Sequence, residues 1–139
     1  MNAVDTNVYV YALDADESAK QAQALELFDR LTLHRAGTVF IWQVAGEFLN
    51  QLRTWESRGR LKAAEVEAAF QRARAMFELR IPSEAMFQIS FDLRSRFSLS
   101  HWDSMLLAAC KEAGVTTLYS EDMDAGTDYD GLTIVNSFA

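Results

Sequence analysis

Asp5, Glu47, Asp103 and Asp122 each stand where an apolar run breaks and the chain should turn or begin a helix. Charge is rare in core segments, so acids recurring at such junctions point to distant segments converging on one acidic pocket. Carboxylates held close together repel and raise one another's pKa, and a hard divalent cation with oxygen ligands, Mg²⁺ or Mn²⁺, removes that penalty. An ion held in this way can activate water beside a phosphodiester. Each acid also has a plainer explanation. Asp5 can cap a helix beginning near Asn7, and Glu47 can be one of the polar positions that any amphipathic helix carries. Ser100-His101-Trp102-Asp103 fits a capping box with Ser100 as the cap. Asp122 lies in the polar loop Ser120-Glu121-Asp122-Met123-Asp124, where either Asp122 or Asp124 could face a site while Glu121 faces solvent.

Other chemistries are poorly served. His34 and His101 have no neighbouring ligands at zinc-binding spacing. There is no Gly-x-Ser-x-Gly and no phosphate-cradling glycine loop, and Cys110, in Leu-Leu-Ala-Ala-Cys-Lys, reads as a buried structural thiol. A phosphatase with an aspartyl nucleophile would want a second acid two residues after the first, where this chain has Asn7. Trp42, Trp55, Trp102 and most phenylalanines are spaced as core residues.

The elements that must position these acids alternate between short strands and helices. Asn2-Ala3-Val4 is β-prone, and the residues after Asp5-Thr6-Asn7 either continue one strand to Leu13 or form a short helix capped by those polar residues. Ala24, Leu27, Phe28 and Leu31 predict a helix over 17–34, Thr38 to Ile41 a buried strand, and Val44, Ala45, Phe48, Leu49 and Leu52 a second helix from Trp42. Leu61 to Phe77 is a third helix, making a helical hairpin over 42–77 that turns at Gly59. Arg80-Ile81-Pro82-Ser83 breaks the helices, and Ser83 caps the next, which runs to about Phe97. Ser100 opens another helix, closed by Gly114, and Val115 to Tyr119 and Leu132 to Val135 complete the strands. Such alternation implies a parallel sheet covered on both faces, with ligands gathered beyond the carboxyl ends of its strands.

The 139 residues, half of them apolar, are expected to form one domain over residues 1–139. No run of about 18 apolar residues is present, the N-terminus reaches an acid at once, and a lone cysteine suits a reducing compartment. No membrane association and a cytoplasmic location are expected. The net charge of −7 opposes coating of nucleic acid by charge alone, but it is uneven: −4 over residues 1–52, −6 over 97–139 and +3 over 53–96. The cations of the middle segment, Arg53, Arg58, Arg60 and Lys62 among them, could grip a polyanion beside a metal, or form a solvated face with pairs such as Glu67 to Arg74.

Together these pieces resemble the PIN domain, the fold of the VapC-like toxin ribonucleases of VapBC toxin–antitoxin pairs. The resemblance rests on Val4-Asp5-Thr6-Asn7-Val8, on Glu47 in the helix after the second strand, on Leu99 to Ala109 around Ser100-His101-Trp102-Asp103, and on Leu118-Tyr119-Ser120-Glu121-Asp122-Met123. It implies a PIN-like α/β fold, a short parallel sheet flanked by helices as an α/β/α sandwich with a helical hairpin. It also implies a metal-dependent endoribonuclease whose Asp5, Glu47 and Asp103, with Asp122 at a more variable fourth position, bind Mg²⁺ or Mn²⁺. Thr6 and Ser120 match polar positions that line the site. The partners implied are an RNA substrate, a VapB-like antitoxin whose tail reaches the acidic pocket, and a second copy in a homodimer. A catalytically silent interaction module of the same fold is the alternative, and the presence of all four acids speaks against it.

Overall fold

The computed structural model describes residues 1–139. Five strands, β1 (Asn2–Val4), β2 (Thr38–Ile41), β3 (Glu78–Arg80), β4 (Thr117–Tyr119) and β5 (Thr133–Val135), form one sheet in the order β3-β2-β1-β4-β5. Every pairing is parallel. Six helices connect them: α1 (Thr6–Leu13), α2 (Ser18–Thr32), α3 (Trp42–Ser57), α4 (Ala63–Met76), α5 (Met86–Arg96) and α6 (His101–Glu112). None is long and apolar enough to cross a membrane.

The middle of the sheet is buried on both faces, and its edges are partly open. All four residues of β2 are buried, as a parallel strand between helical layers requires. On one face Tyr9 of α1 packs against Phe28, Phe40 and Phe48 at ring-centroid distances of 4.8, 4.8 and 5.6 Å, tying α1, α2, β2 and α3 together. Fully burying a side chain of this size contributes about 1.5–3 kcal/mol. This packing decides the segment after Asp5, which the sequence left open: Val8 and Tyr9 are buried from a helix, not a strand. The β-branched and aromatic residues of α1 would suit a strand, and tertiary burial overrides that preference.

Two expectations need correction. β3 was not legible, because Glu78-Leu79-Arg80 is too short for its alternation to signal a strand and has no β-branched or aromatic residue; it is an edge strand whose register comes from pairing with Val39–Ile41. Ser83 does not cap α5, which starts at Met86. Its amide and hydroxyl instead donate to the two oxygens of Glu112 on α6, at 2.6 and 2.7 Å. The hairpin of α3 and α4 forms as expected, with Gly59 at φ 78° in the turn, a conformation that disfavours any side chain.

Candidate active site at the carboxyl edge of the sheet

β1 lies between β2 and β4, and the chain winds outward from it in both directions, so the crevice beyond β1 and β4 is the switch point where ligands of such sheets bind. Register places Val4 beside Tyr119, which brings the next residues of both strands, Asp5 and Ser120, to that crevice. The Asp5 amide donates to the Tyr119 carbonyl at 2.8 Å, fixing the backbone there. The Asp5 side chain is oriented at both oxygens: Oδ1 accepts the Thr6 amide at 2.7 Å, and Oδ2 accepts the Ser120 hydroxyl at 2.7 Å. Asp5 is 8% exposed and Ser120 1%. Asp5 therefore does cap α1, but only one of its oxygens is used for that.

Glu47 stands at the second turn of α3, exposed, with both oxygens engaged. Thr6 Oγ1 donates to Oε2 and Gln43 Nε2 to Oε1, each at 3.0 Å. Thr6 thus links the helix capped by Asp5 to the acid on α3. Ser100 caps α6 by accepting the Asp103 amide at 3.2 Å, which leaves the Asp103 carboxylate free of hydrogen bonds and ion pairs. Ser100 is the cap, and the Asp103 carboxylate returns no hydrogen bond to it, so its local role is limited to the favourable place of an acid in the first turn. The Asp122 amide donates to Ser120 Oγ at 3.2 Å, while its carboxylate is exposed.

Burial raises the Asp5 carboxyl above its ordinary 3.8, the Ser120 and Thr6 hydrogen bonds pull it back, and the charges of Glu47 and Asp122 push it further up. Asp103 and Asp124 act together elsewhere, on Tyr129, whose phenol is raised first by burial and then by these two charges. The loop thus sets Asp122 against Asp5 and Asp124 against Tyr129. None of Asp5, Glu47, Asp103 or Asp122 has a cationic partner, whereas Asp14, Asp16, Glu78, Glu121 and Asp130 all do. A buried, unpaired carboxylate flanked by like charges suits a hard cation supplied from outside. The four acids are not drawn into a closed cage, and no three Asp, Glu, His or Cys side chains are grouped as ligands of one ion. The hydrogen bonds of Glu47 to Thr6 and Gln43 hold that side chain in place.

Several surface expectations change. Trp55 is buried as a core residue, but Trp42 is 56% and Trp102 64% exposed. These two line an open cleft of about 500 Å³ with Gln43, Gly46, Glu47 and Asn50. Gln43 Nε2 also donates to the Trp102 carbonyl at 3.3 Å, joining α3 to α6 across the cleft. Gly46 sits inside α3 with ordinary helical backbone, and a Cβ added there would meet nothing within 4 Å. Glycine at such a position weakens a helix by about 0.5–1 kcal/mol relative to alanine, so neither packing nor backbone geometry explains it. The apolar periodicity of α3 marks only its buried face; the sequence signal of this one is Trp42, Gly46 and Asn50 at intervals of one helical turn, beside Gln43 and Glu47.

Of the basic residues singled out, Arg53, Arg58 and Lys62 are exposed and unpaired. Arg60 is not free: it pairs with Asp14 at 3.2 Å and Asp16 at 3.6 Å, and lies over the Trp55 ring at 4.5 Å. That pairing gives the acids following α1 a role the sequence did not reveal. Glu67 and Arg74 form no ion pair, and Glu121, expected to face solvent, pairs with Lys20 of α2 at 2.5 Å.

The PIN domain family profile matches residues 3–126. The chain belongs to the PIN domain family. No curated protein matches its sequence. Among solved structures, this PIN domain protein superposes on a chain of VapBC2 from Rickettsia felis, bound to a DNA fragment from their promoter, with a TM-score of 0.72 at 12% identity, covering 96% of each chain. A toxin–antitoxin complex from Klebsiella pneumoniae gives 0.63 at 15% identity, covering 99% of this chain and 98% of that one. VapC20 of Mycobacterium tuberculosis, a toxin that cleaves the sarcin–ricin loop, gives 0.61 at 19% identity, with 89% and 92% covered. At these identities the likeness is one of fold.

Proposed function

We propose that this PIN domain protein is a divalent-metal-dependent endoribonuclease that hydrolyses RNA phosphodiester bonds, and that it is the toxin of a type II toxin–antitoxin pair. The observation that carries the reading is the Asp5 carboxylate: buried at the switch point, beside the charges of Glu47 and Asp122, and without a cationic partner. Asp5, Glu47 and Asp103, with Asp122 directly or through water, would hold Mg²⁺ or Mn²⁺, which supplies positive charge at the scissile phosphate and acidifies water for attack. Ser120 and Thr6 fix the Asp5 carboxylate from both sides, and Gln43 and Thr6 fix Glu47, so these ligands are oriented before any substrate arrives. Arg53, Arg58 and Lys62 would meet backbone phosphates approaching along the hairpin. Because water supplies the attacking oxygen, the products carry a 5′-phosphate and a 3′-hydroxyl.

A cleavage assay on single-stranded RNA, with Mn²⁺ or with EDTA, tests this. Cleavage is expected with Mn²⁺ only, and Asp5→Asn should abolish it while keeping the melting transition. Full activity in that variant would remove the site from the reaction. The rival, a module without catalysis, predicts no saturable Mn²⁺ binding by calorimetry.

An antitoxin has a suitable seat. An apolar groove of about 440 Å³ between α2 and α4 is lined by Leu13, Leu25, Phe28 and Met76, with Arg35 and Arg72 among its polar residues. The hydroxyl of Tyr9, which also lines it, is buried without a partner. An amphipathic helix carrying acidic residues fits such a groove. Exposed Phe87 and Phe91, one turn apart on α5, favour a homodimer, which sedimentation would detect.

A further inference from the structure

Two indoles standing mostly in solvent beside an acidic site are unusual, since large aromatic side chains ordinarily bury their rings. Here both are presented from the first turns of helices, Trp42 on α3 and Trp102 on α6. Gln43 bridges the two helices by donating to the Trp102 carbonyl and to Glu47. Trp102 is further braced by His101, which meets its ring edge-on at 4.6 Å. Gly46 lines the same cleft and leaves the surface of α3 bare there, where a side chain would have met no obstacle. A helix that carries glycine where alanine would strengthen it, in a cleft lined by two exposed tryptophans, leaves room for something flat.

The rim of the cleft narrows the choice of occupant. Glu47 repels a phosphate, while the Asn50 amide and the Gln43 carbonyl oxygen, whose own amide nitrogen is already engaged, offer hydrogen bonds to an uncharged polar edge. Arg53, exposed one turn beyond Asn50 on α3, is placed for a phosphate outside the cleft. An uncharged, planar, polar-edged group attached to a phosphate is a nucleobase. We propose that Trp42, Gly46 and Trp102 form a stacking pocket for one unpaired base of the RNA strand, beside Glu47. This rests on the nuclease reading for the identity of the strand, and assigns the pocket a binding and specificity role rather than a catalytic one. A base held in a duplex presents no free face and cannot enter.

The test measures binding apart from cleavage. A fluorescein-labelled single-stranded RNA is titrated with the full chain in EDTA and followed by anisotropy. Base–aromatic stacking is strong enough that Trp42→Ala and Trp102→Ala should each weaken binding about tenfold. Trp42→Phe should keep most of the affinity, and Gly46→Leu, which fills the cleft there, should lose as much as the alanine variants. Scanning a single abasic position along the RNA should reproduce the loss at one site in the wild type. Melting temperatures establish that each variant is folded, as expected for exposed positions. Unchanged affinity in both alanine variants overturns the proposal. A wild type that binds RNA in this tryptophan-dependent way but cuts nothing with Mn²⁺ supports the pocket and refutes the nuclease reading alone.

Discussion

Ser120→Ala isolates the bond that holds Asp5 in place. The hydroxyl donates to the buried Asp5 Oδ2 at 2.7 Å and accepts the Asp122 amide at 3.2 Å, and the residue is 1% exposed. A hydrogen bond to a charged group is worth about 1.5–3 kcal/mol, and removing its donor leaves a desolvated carboxylate oxygen unsatisfied. The longer bond from a partly exposed amide adds roughly 0.5 kcal/mol. The variant should therefore lose about 2–3 kcal/mol at neutral pH in metal-free buffer, or roughly 6–12 °C in melting temperature for a chain of this size. Urea denaturation of four proteins, wild type, Ser120→Ala, Asp5→Asn and the double variant, measures the coupling. In Asp5→Asn, Oδ1 still accepts the Thr6 amide and the cap is kept, but no charge remains to be solvated. Ser120→Ala should then cost about 1 kcal/mol or less, a coupling of roughly 1.5 kcal/mol. A loss below about 0.5 kcal/mol in the wild-type background, or the same loss in both backgrounds, would refute a buried, hydroxyl-supported carboxylate at the switch point.

Other expectations follow from the same contacts. Gly46→Ala should stabilise the protein by about 0.5–1 kcal/mol in urea denaturation, because the added methyl meets nothing and the helix gains. Arg60→Ala should cost about 1 kcal/mol through lost packing on Trp55 and the Asp14 pair, while Arg53→Ala and Arg58→Ala stay within about 0.5 kcal/mol in stability. Each of the latter two should instead lower the salt dependence of RNA affinity, by about 0.7 in the log–log slope per lost phosphate contact. Glu112 is pulled below its ordinary 4.5, chiefly by the Ser83 amide and then its hydroxyl. A lowered carboxyl gives stability that is present above the ordinary value and lost as pH falls through the folded one. Glu112→Gln should flatten that acid limb, with less than about 1 kcal/mol at neutral pH because the pair is exposed to solvent.

Much of this architecture could be read from local signals. The cap at Ser100, the turn at Gly59, the buried run Thr38–Ile41 and the periodicity of α2 and α3 each depend on neighbouring residues, so their elements appear in the sequence. The four acids stood out as candidates for the same reason: each stands where an apolar stretch of its own breaks. What eluded the sequence were facts that involve two distant segments. The choice of helix for Thr6–Leu13 was made by Tyr9 packing on Phe28, Phe40 and Phe48, and β3 exists because β2 offers it a partner. Arg60 looked free until Asp14 and Asp16 were brought to it, and the spacing of Trp42 and Trp102 fitted a core from which the fold excludes them.

The sequence by itself determined which side chains carry negative charge, which are apolar and where the backbone turns, since those are properties of single residues and short windows. Only the tertiary structure decided that Asp5 should meet Ser120 across 115 positions, with Glu47 and Asp122 close enough to raise its carboxyl. Burial and electrostatic coupling depend on what surrounds a group in space, and parallel pairing of β1 with β4 creates those surroundings.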